Sequence, residues 1–119
     1  MAKLILIEDD PGMQEYFRIV LGQTGHELLF ADDGTSGIKL VKSQSADLII
    51  SDLNMPGEPS GMELIREIRE LCPATPLIVV SGFPTEERID ECKALGVEQF
   101  LVKPFDITFF ISVIDGLLE

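Results

Sequence analysis

The feature that most constrains this chain is a short apolar run followed by a longer amphipathic stretch, repeated five times. The runs are Leu4 to Ile7, Leu28 to Ala31, Leu48 to Ile50, Leu77 to Val80 and Phe100 to Val102. Three or four apolar residues with little polar alternation suit strands covered on both faces, as in a parallel sheet. The stretches between them have helical spacing. The clearest, Leu64, Ile65, Ile68 and Leu71, lays one apolar stripe along a helix. Boundary signals agree. Asp10 before Pro11 is an N-cap with proline at the first helical position. Ser60-Gly61-Met62-Glu63 matches a capping box, Gly96 after Ala94-Leu95 a C-terminal cap, and Asp106 an N-cap for the last helix. Short connections and right-handed crossovers then predict an α/β domain over residues 1–119, with helices on both faces of the sheet.

Bulk composition fits one such domain. The 119 residues are 45% hydrophobic, enough for a core without disulfides, and seven Phe, one Tyr and no Trp leave that core mostly aliphatic. A formal net charge of −12 argues against direct binding to nucleic acid or an anionic membrane, since phosphates attract Lys and Arg. Acidity also simply keeps a domain dispersed, or some carboxylates are gathered to hold a cation. Cys72 and Cys92 make neither a disulfide framework nor a metal cluster, and each falls in a stretch read as helix. The lone His26 reads as a loop or strand-edge residue. The run Leu4 to Ile7 stops at Glu8-Asp9-Asp10, too short for a signal peptide, and no run approaches the ~18 apolar residues of a membrane span. A cytoplasmic protein with no membrane partner is expected.

Open parallel sheets bind ligands beyond the carboxyl ends of their strands, so the residues after each run are the place to look for chemistry. Glu8, Asp9 and Asp10 follow the first run. Ser51, Asp52 and the loop Leu53-Asn54-Met55-Pro56-Gly57 follow the third, Ser81-Gly82 the fourth and Lys103-Pro104-Phe105 the fifth. Glu8, Asp9 and Asp52 would bring three carboxylates to one sheet edge, where they repel one another without a counter-charge. A hard divalent cation with oxygen ligands answers this, and one or two direct carboxylates suit magnesium. Lys103 adds a second positive centre, Ser81 a hydroxyl, and Gly82 leaves room beside it. Each of these alone is an ordinary turn residue. Their conjunction describes a phosphoryl site with Asp52 as nucleophile.

These residues resemble the response-regulator receiver domain of two-component signalling. The matching segments are Leu4-Ile5-Leu6-Ile7-Glu8-Asp9-Asp10-Pro11, Ser51-Asp52-Leu53-Asn54-Met55-Pro56-Gly57, Val79-Val80-Ser81-Gly82 and Phe100-Leu101-Val102-Lys103-Pro104-Phe105, and the likeness spans essentially the whole chain. It implies a flavodoxin-like (βα)5 fold, a doubly wound parallel five-stranded sheet in the order 2-1-3-4-5. It further implies phosphotransfer from a histidine kinase or phosphotransfer protein onto Asp52, with Mg2+ (or Mn2+) as cofactor. Asp9 resembles a direct metal ligand, Glu8 one acting partly through water, and the backbone carbonyl of Asn54 the third protein ligand beside Asp52. Ser81 and Lys103 would each bind a phosphoryl oxygen. The same likeness makes the chain a regulator that assists its own phosphorylation and dephosphorylation, not an enzyme with a dedicated substrate. The switch is expected to run from Ser81 to Phe100, changing the face near the last helix for a downstream protein target or output domain.

Three features depart from or add to that pattern. Pro56-Gly57-Glu58-Pro59-Ser60-Gly61 has one residue more between its glycines than is usual. Phe83, two residues past Ser81, is expected to shield the phosphoryl group from water. The last helix carries Ile107, Phe110, Ile111, Ile114, Leu117 and Leu118 on one face, with Val113 on its flank and Phe109 off it, which suggests a homodimer on phosphorylation or a partner contact. Rival readings are a receiver-like docking module that is never phosphorylated, a haloacid-dehalogenase-type phosphatase, and a nucleotide-binding flavodoxin-like domain. Asn54 stands where that phosphatase has a second Asp, and the nucleotide binder's Gly-rich fingerprint is missing after the first run.

Overall fold

All five apolar runs are strands, and all five amphipathic stretches are helices. The computed structural model describes residues 2–55, 57–59 and 61–119. In chain order these are β1 (Lys3–Ile7), α1 (Pro11–Gly22), β2 (Glu27–Ala31), α2 (Gly34–Ser43), β3 (Leu48–Asp52), α3 (Gly61–Leu71), β4 (Leu77–Ser81), α4 (Glu86–Ala94), β5 (Gln99–Val102) and α5 (Ile107–Leu118). The strands form one parallel sheet in the order β2-β1-β3-β4-β5, the flavodoxin-like arrangement expected.

Strand alternation divides the core into two layers. Ile5, Ile7, Ile49, Leu77 and Val79 pack with Ile38 and Val41 of α2, Leu64, Ile65 and Ile68 of α3, and Cys92 of α4. Leu4, Leu6, Leu48, Ile50, Ile78, Val80 and Leu101 pack on the other face with Phe17 and Leu21 of α1 and Phe110 and Ile114 of α5. Each fully buried aliphatic side chain contributes roughly 1.5–3 kcal/mol. Helix α2 lies close to β1 because Gly37 has no side chain. A Cβ there would sit 2.7 Å from Ile7 Cδ1.

The helix ends follow local chemistry. Asp10 Oδ1 accepts from the Gly12 amide at 2.9 Å and Asp106 Oδ1 from the Phe109 amide at 3.0 Å. Gly96 lies just past α4 with φ +74°. Asp33 and Thr85, not singled out in the sequence, cap α2 and α4. The Ser60–Glu63 capping box involves Ser60, outside the described residues.

Several expectations need correction. The central strands β3 and β4 are buried along their whole length, but β2 and β5 are only partly covered. Those two are the edge strands, with a neighbour on one side alone. Leu71 is 40% exposed at the last position of α3 and leaves the apolar stripe, and Cys72 lies one residue beyond that helix. Asp52 and Ser81 are the last residues of β3 and β4, not the first of the loops. The ladder fixes them directly, since Asp52 pairs with Val80 and Ser81 with Val102.

Arg69 closes the opposite end of the molecule. Its guanidinium donates to the carbonyls of Cys72, Pro73, Thr75 and Gly96 and to Glu98 Oε1, which also accepts from the Leu77 amide.

Candidate functional site

Parallel strands of matched register bring the ends of β1, β3, β4 and β5 to one rim, so residues distant in sequence meet there. Lys103 leaves the end of β5 and reaches inward, its ammonium 2.7 Å from Asp52 Oδ2 and 3.1 Å from Glu8 Oε1. Asp52 is only 5% exposed and Glu8 only 2%. Carboxylate oxygens of Glu8, Asp9 and Asp52 all lie within 4.8 Å of one another. The expected acidic cluster therefore exists as a spatial unit.

Buried anions need compensation, and each here has a defined share. Asp52 Oδ1 accepts from the Asn54 amide at 2.8 Å, while Oδ2 takes the lysine. Glu8 Oε2 accepts from the Asp10 amide at 3.2 Å. One lysine still faces two buried carboxylates. Burial, followed by the hydrogen bond and negative charge of Asp52, pushes Glu8 up to about 7, against the pull of Lys103 and the Asp10 amide. Burial alone would lower Lys103. The hydrogen bonds and charges of Asp52 and Glu8 outweigh it and hold the ammonium above the ordinary lysine value. A second cation beside these oxygens would relieve the same crowding, and an all-oxygen donor set suits a hard divalent ion such as magnesium. On that chemistry the residues fit the group.

Ser81 is fully buried. Its hydroxyl donates to Asn54 Oδ1 at 2.8 Å and accepts from the Phe83 amide at 3.1 Å. The Asn54 side chain is thus the present partner of Ser81, a role that attention to its backbone carbonyl missed. Gln14 was also missed. From the first turns of α1 its amide Nε2 donates to the Glu8 carbonyl and to Asp32 Oδ1, both at 2.6 Å. The only sequence signal was a long amide side chain one turn beyond the Asp10 cap.

The site opens as a cleft of about 240 Å³ lined by Glu8, Asp9, Asp52, Asn54, Phe83 and Lys103, among others. Phe83 stands at its mouth and is 73% exposed. An apolar groove of about 610 Å³ adjoins it, lined by Gly12, Met13, Tyr16, Lys103, Pro104 and Phe105. Phe100 sits away from the carboxylates, half-buried between β5 and α4 and beside Cys92 and Val97. It pairs with Val79, two residues before Ser81. Burial pushes the Cys92 thiol up to about 11, with the nearby Glu91 charge adding to it, so this cysteine behaves as a core residue.

Known proteins resemble this chain in sequence and in fold. The family model of the response regulator receiver domain matches residues 4–115. The transcriptional regulatory protein GlrR of Escherichia coli is 33% identical over 118 residues, which is 99% of this chain and 26% of that protein. The chain spans about a quarter of the length of the first curated relatives it matches, from 24% to 26%. Among solved structures, the Vibrio cholerae chemotaxis protein CheY4 superposes with a TM-score of 0.88 at 28% identity, covering 99% of both chains. TrrA of Thermotoga maritima, solved in complex with Mg(2+)-BeF, superposes with a TM-score of 0.86 at 25% identity, covering 99% of this chain and all of that one.

Proposed function

This chain belongs to the response regulator receiver family, and on that premise we propose that Asp52 accepts a phosphoryl group and so switches the surface beyond β4 and β5. The observation that carries the reading is the Asp52 carboxylate, buried at a strand end, paired with Lys103 at 2.7 Å and grouped with Glu8 and Asp9.

In this reading the P–N bond of a phosphohistidine breaks as an Asp52 oxygen forms the new P–O bond, and the imidazole leaves. The ladder and the Asn54 amide hold Asp52 in one orientation for that attack. Lys103 stays beside it and pairs with one phosphoryl oxygen. Asp9, Asp52, the Asn54 carbonyl and, partly through water, Glu8 would hold Mg2+, or Mn2+ in its place. A bound ion of this kind supplies neutralisation of charge on the transferred phosphoryl oxygens. Water later cleaves the acyl phosphate, and Phe83 at the cleft mouth limits its approach. Replacing Phe83 with Ala should raise the dephosphorylation rate several-fold, as read by loss of the phosphorylated mass with time.

The switch begins at Ser81. Its hydroxyl exchanges Asn54 Oδ1 for a phosphoryl oxygen, and the space that Ser81 vacates as it is drawn inward is filled by Phe100 turning inward. The altered face then binds a protein target or an attached output domain. The donor is a histidine kinase or phosphotransfer protein.

Incubation with magnesium and acetyl phosphate or phosphoramidate, followed by intact mass, tests the reading. One added phosphoryl group, absent in Asp52→Asn, is the expected result. An unmodified wild-type protein would leave a docking module that is never phosphorylated.

A further inference from the structure

The end of β2 is the one strand end that contributes no reacting group, yet it joins the loops on either side of it. Asp32 Oδ1 accepts from Gln14 Nε2, which also holds the Glu8 carbonyl. Asp33 caps α2 by accepting from the Ser36 amide at 2.8 Å. The next two residues meet the loop that follows Asp52. Thr35 Oγ1 donates to the Glu58 carbonyl at 3.0 Å. Gly34 is buried against Pro59 so closely that a Cβ would lie 1.8 Å from the Pro59 carbonyl oxygen. That obstacle is backbone, which cannot rotate aside.

This contact falls on the loop that follows Asp52. Gly57 and Gly61 at its two ends have positive φ, at +85° and +58°. Glycine at these positions adds conformational freedom. The near end of the loop carries Asn54, whose amide orients Asp52 and whose side chain engages Ser81.

We infer that Gly34 and Thr35 are positioning residues for the phosphoryl site, a brace that seats Glu58 and Pro59 against the start of α2 and so steadies the Asn54 backbone beside Asp52. Gly34 supplies the seat and Thr35 the latch, and Asp32 with Gln14 ties the same turn to the acidic pair. The inference deepens the phosphoacceptor reading and rests on it for its link to magnesium.

Thr35 is exposed, so Thr35→Val removes the latch without opening the core. Magnesium titration by calorimetry should show dissociation constants about three- to tenfold weaker in Thr35→Val, the worth of one hydrogen bond. Thr35→Ser, which keeps the hydroxyl, should bind like the wild type. In protein without added metal, exchange of the Asn54 amide hydrogen should speed up by a similar factor in Thr35→Val. Gly34→Ala should exceed both effects if it folds. Wild-type affinity and unchanged Asn54 exchange in Thr35→Val would overturn the brace, even with a lower denaturation midpoint, because a merely structural contact would move only the midpoint. Equal losses in Thr35→Ser and Thr35→Val would overturn it too, by assigning the effect to side-chain shape. If the wild-type protein bound no magnesium, the phosphoacceptor reading would fail instead, and the exchange measurement would still judge the brace.

Discussion

Glu8 shows how a single carboxylate can both weaken a fold and serve it. It is buried beside Asp52 and shares Lys103 with it, and its pKa is raised from 4.5 to about 7. The folded state therefore binds more protons than the unfolded state between those two values. The stabilisation is complete below pH 4.5 and is lost as pH rises through about 7. Glu8→Gln should flatten that slope in chelator-treated protein and stabilise it at pH 8 by on the order of 2 kcal/mol, measured by urea unfolding. The same change should weaken magnesium binding. A variant no more stable than the wild type at pH 8 would mean that Lys103 alone satisfies both carboxylates.

At the scale of elements, the legible part of the fold was whatever is written locally. The five apolar runs located every strand, and Asp10, Gly96 and Asp106 marked helix ends through short-range hydrogen bonds. Glu8, Asp9, Asp52, Ser81 and Lys103 were legible because a parallel sheet sends strand ends to one rim. What the sequence did not disclose are contacts between elements. Gln14 on Glu8, Asn54 on Ser81 and Gly34 against Pro59 each depend on how separate loops lie together. Leu71 was misread because it follows the helical period yet falls where α3 is running out. Arg69 was overlooked because its acceptors lie partly on the turn just after α3 and partly on the stretch before β5, and those two segments meet only in the fold. Replacing it with Ala strips four carbonyls and Glu98 of a donor. Thermal unfolding of that variant should show a loss of about 2–4 kcal/mol, with magnesium affinity unchanged because the site lies at the other end of the sheet.

For the molecule as a whole, the two layers are unequal. Three helices cover one face of the sheet and two the other, and Phe109 on α5 stays 50% exposed while Phe110 beside it is fully buried. Exposed Val102 at the end of β5 adds apolar surface beyond the Lys103 site. If phosphorylation brings two copies together, this side of the molecule is where the surface is suited to it. Sedimentation should then show a concentration-dependent dimer with magnesium and beryllofluoride, lost in Phe109→Ser. A monomer under all conditions would remove the dimer and leave a protein partner as the occupant of that face. No helix among the described residues is long and apolar enough to cross a membrane.

Tyr16 is the chain's only tyrosine, there is no tryptophan, and its ring lines the groove that Lys103 also borders. Nature has in effect fitted this protein with one lamp, set next to the working parts. Ultraviolet emission from the protein would come almost entirely from that phenol. Because Lys103 borders both that groove and the carboxylate cleft, displacing its ammonium should change the emission, which would serve as a label-free readout.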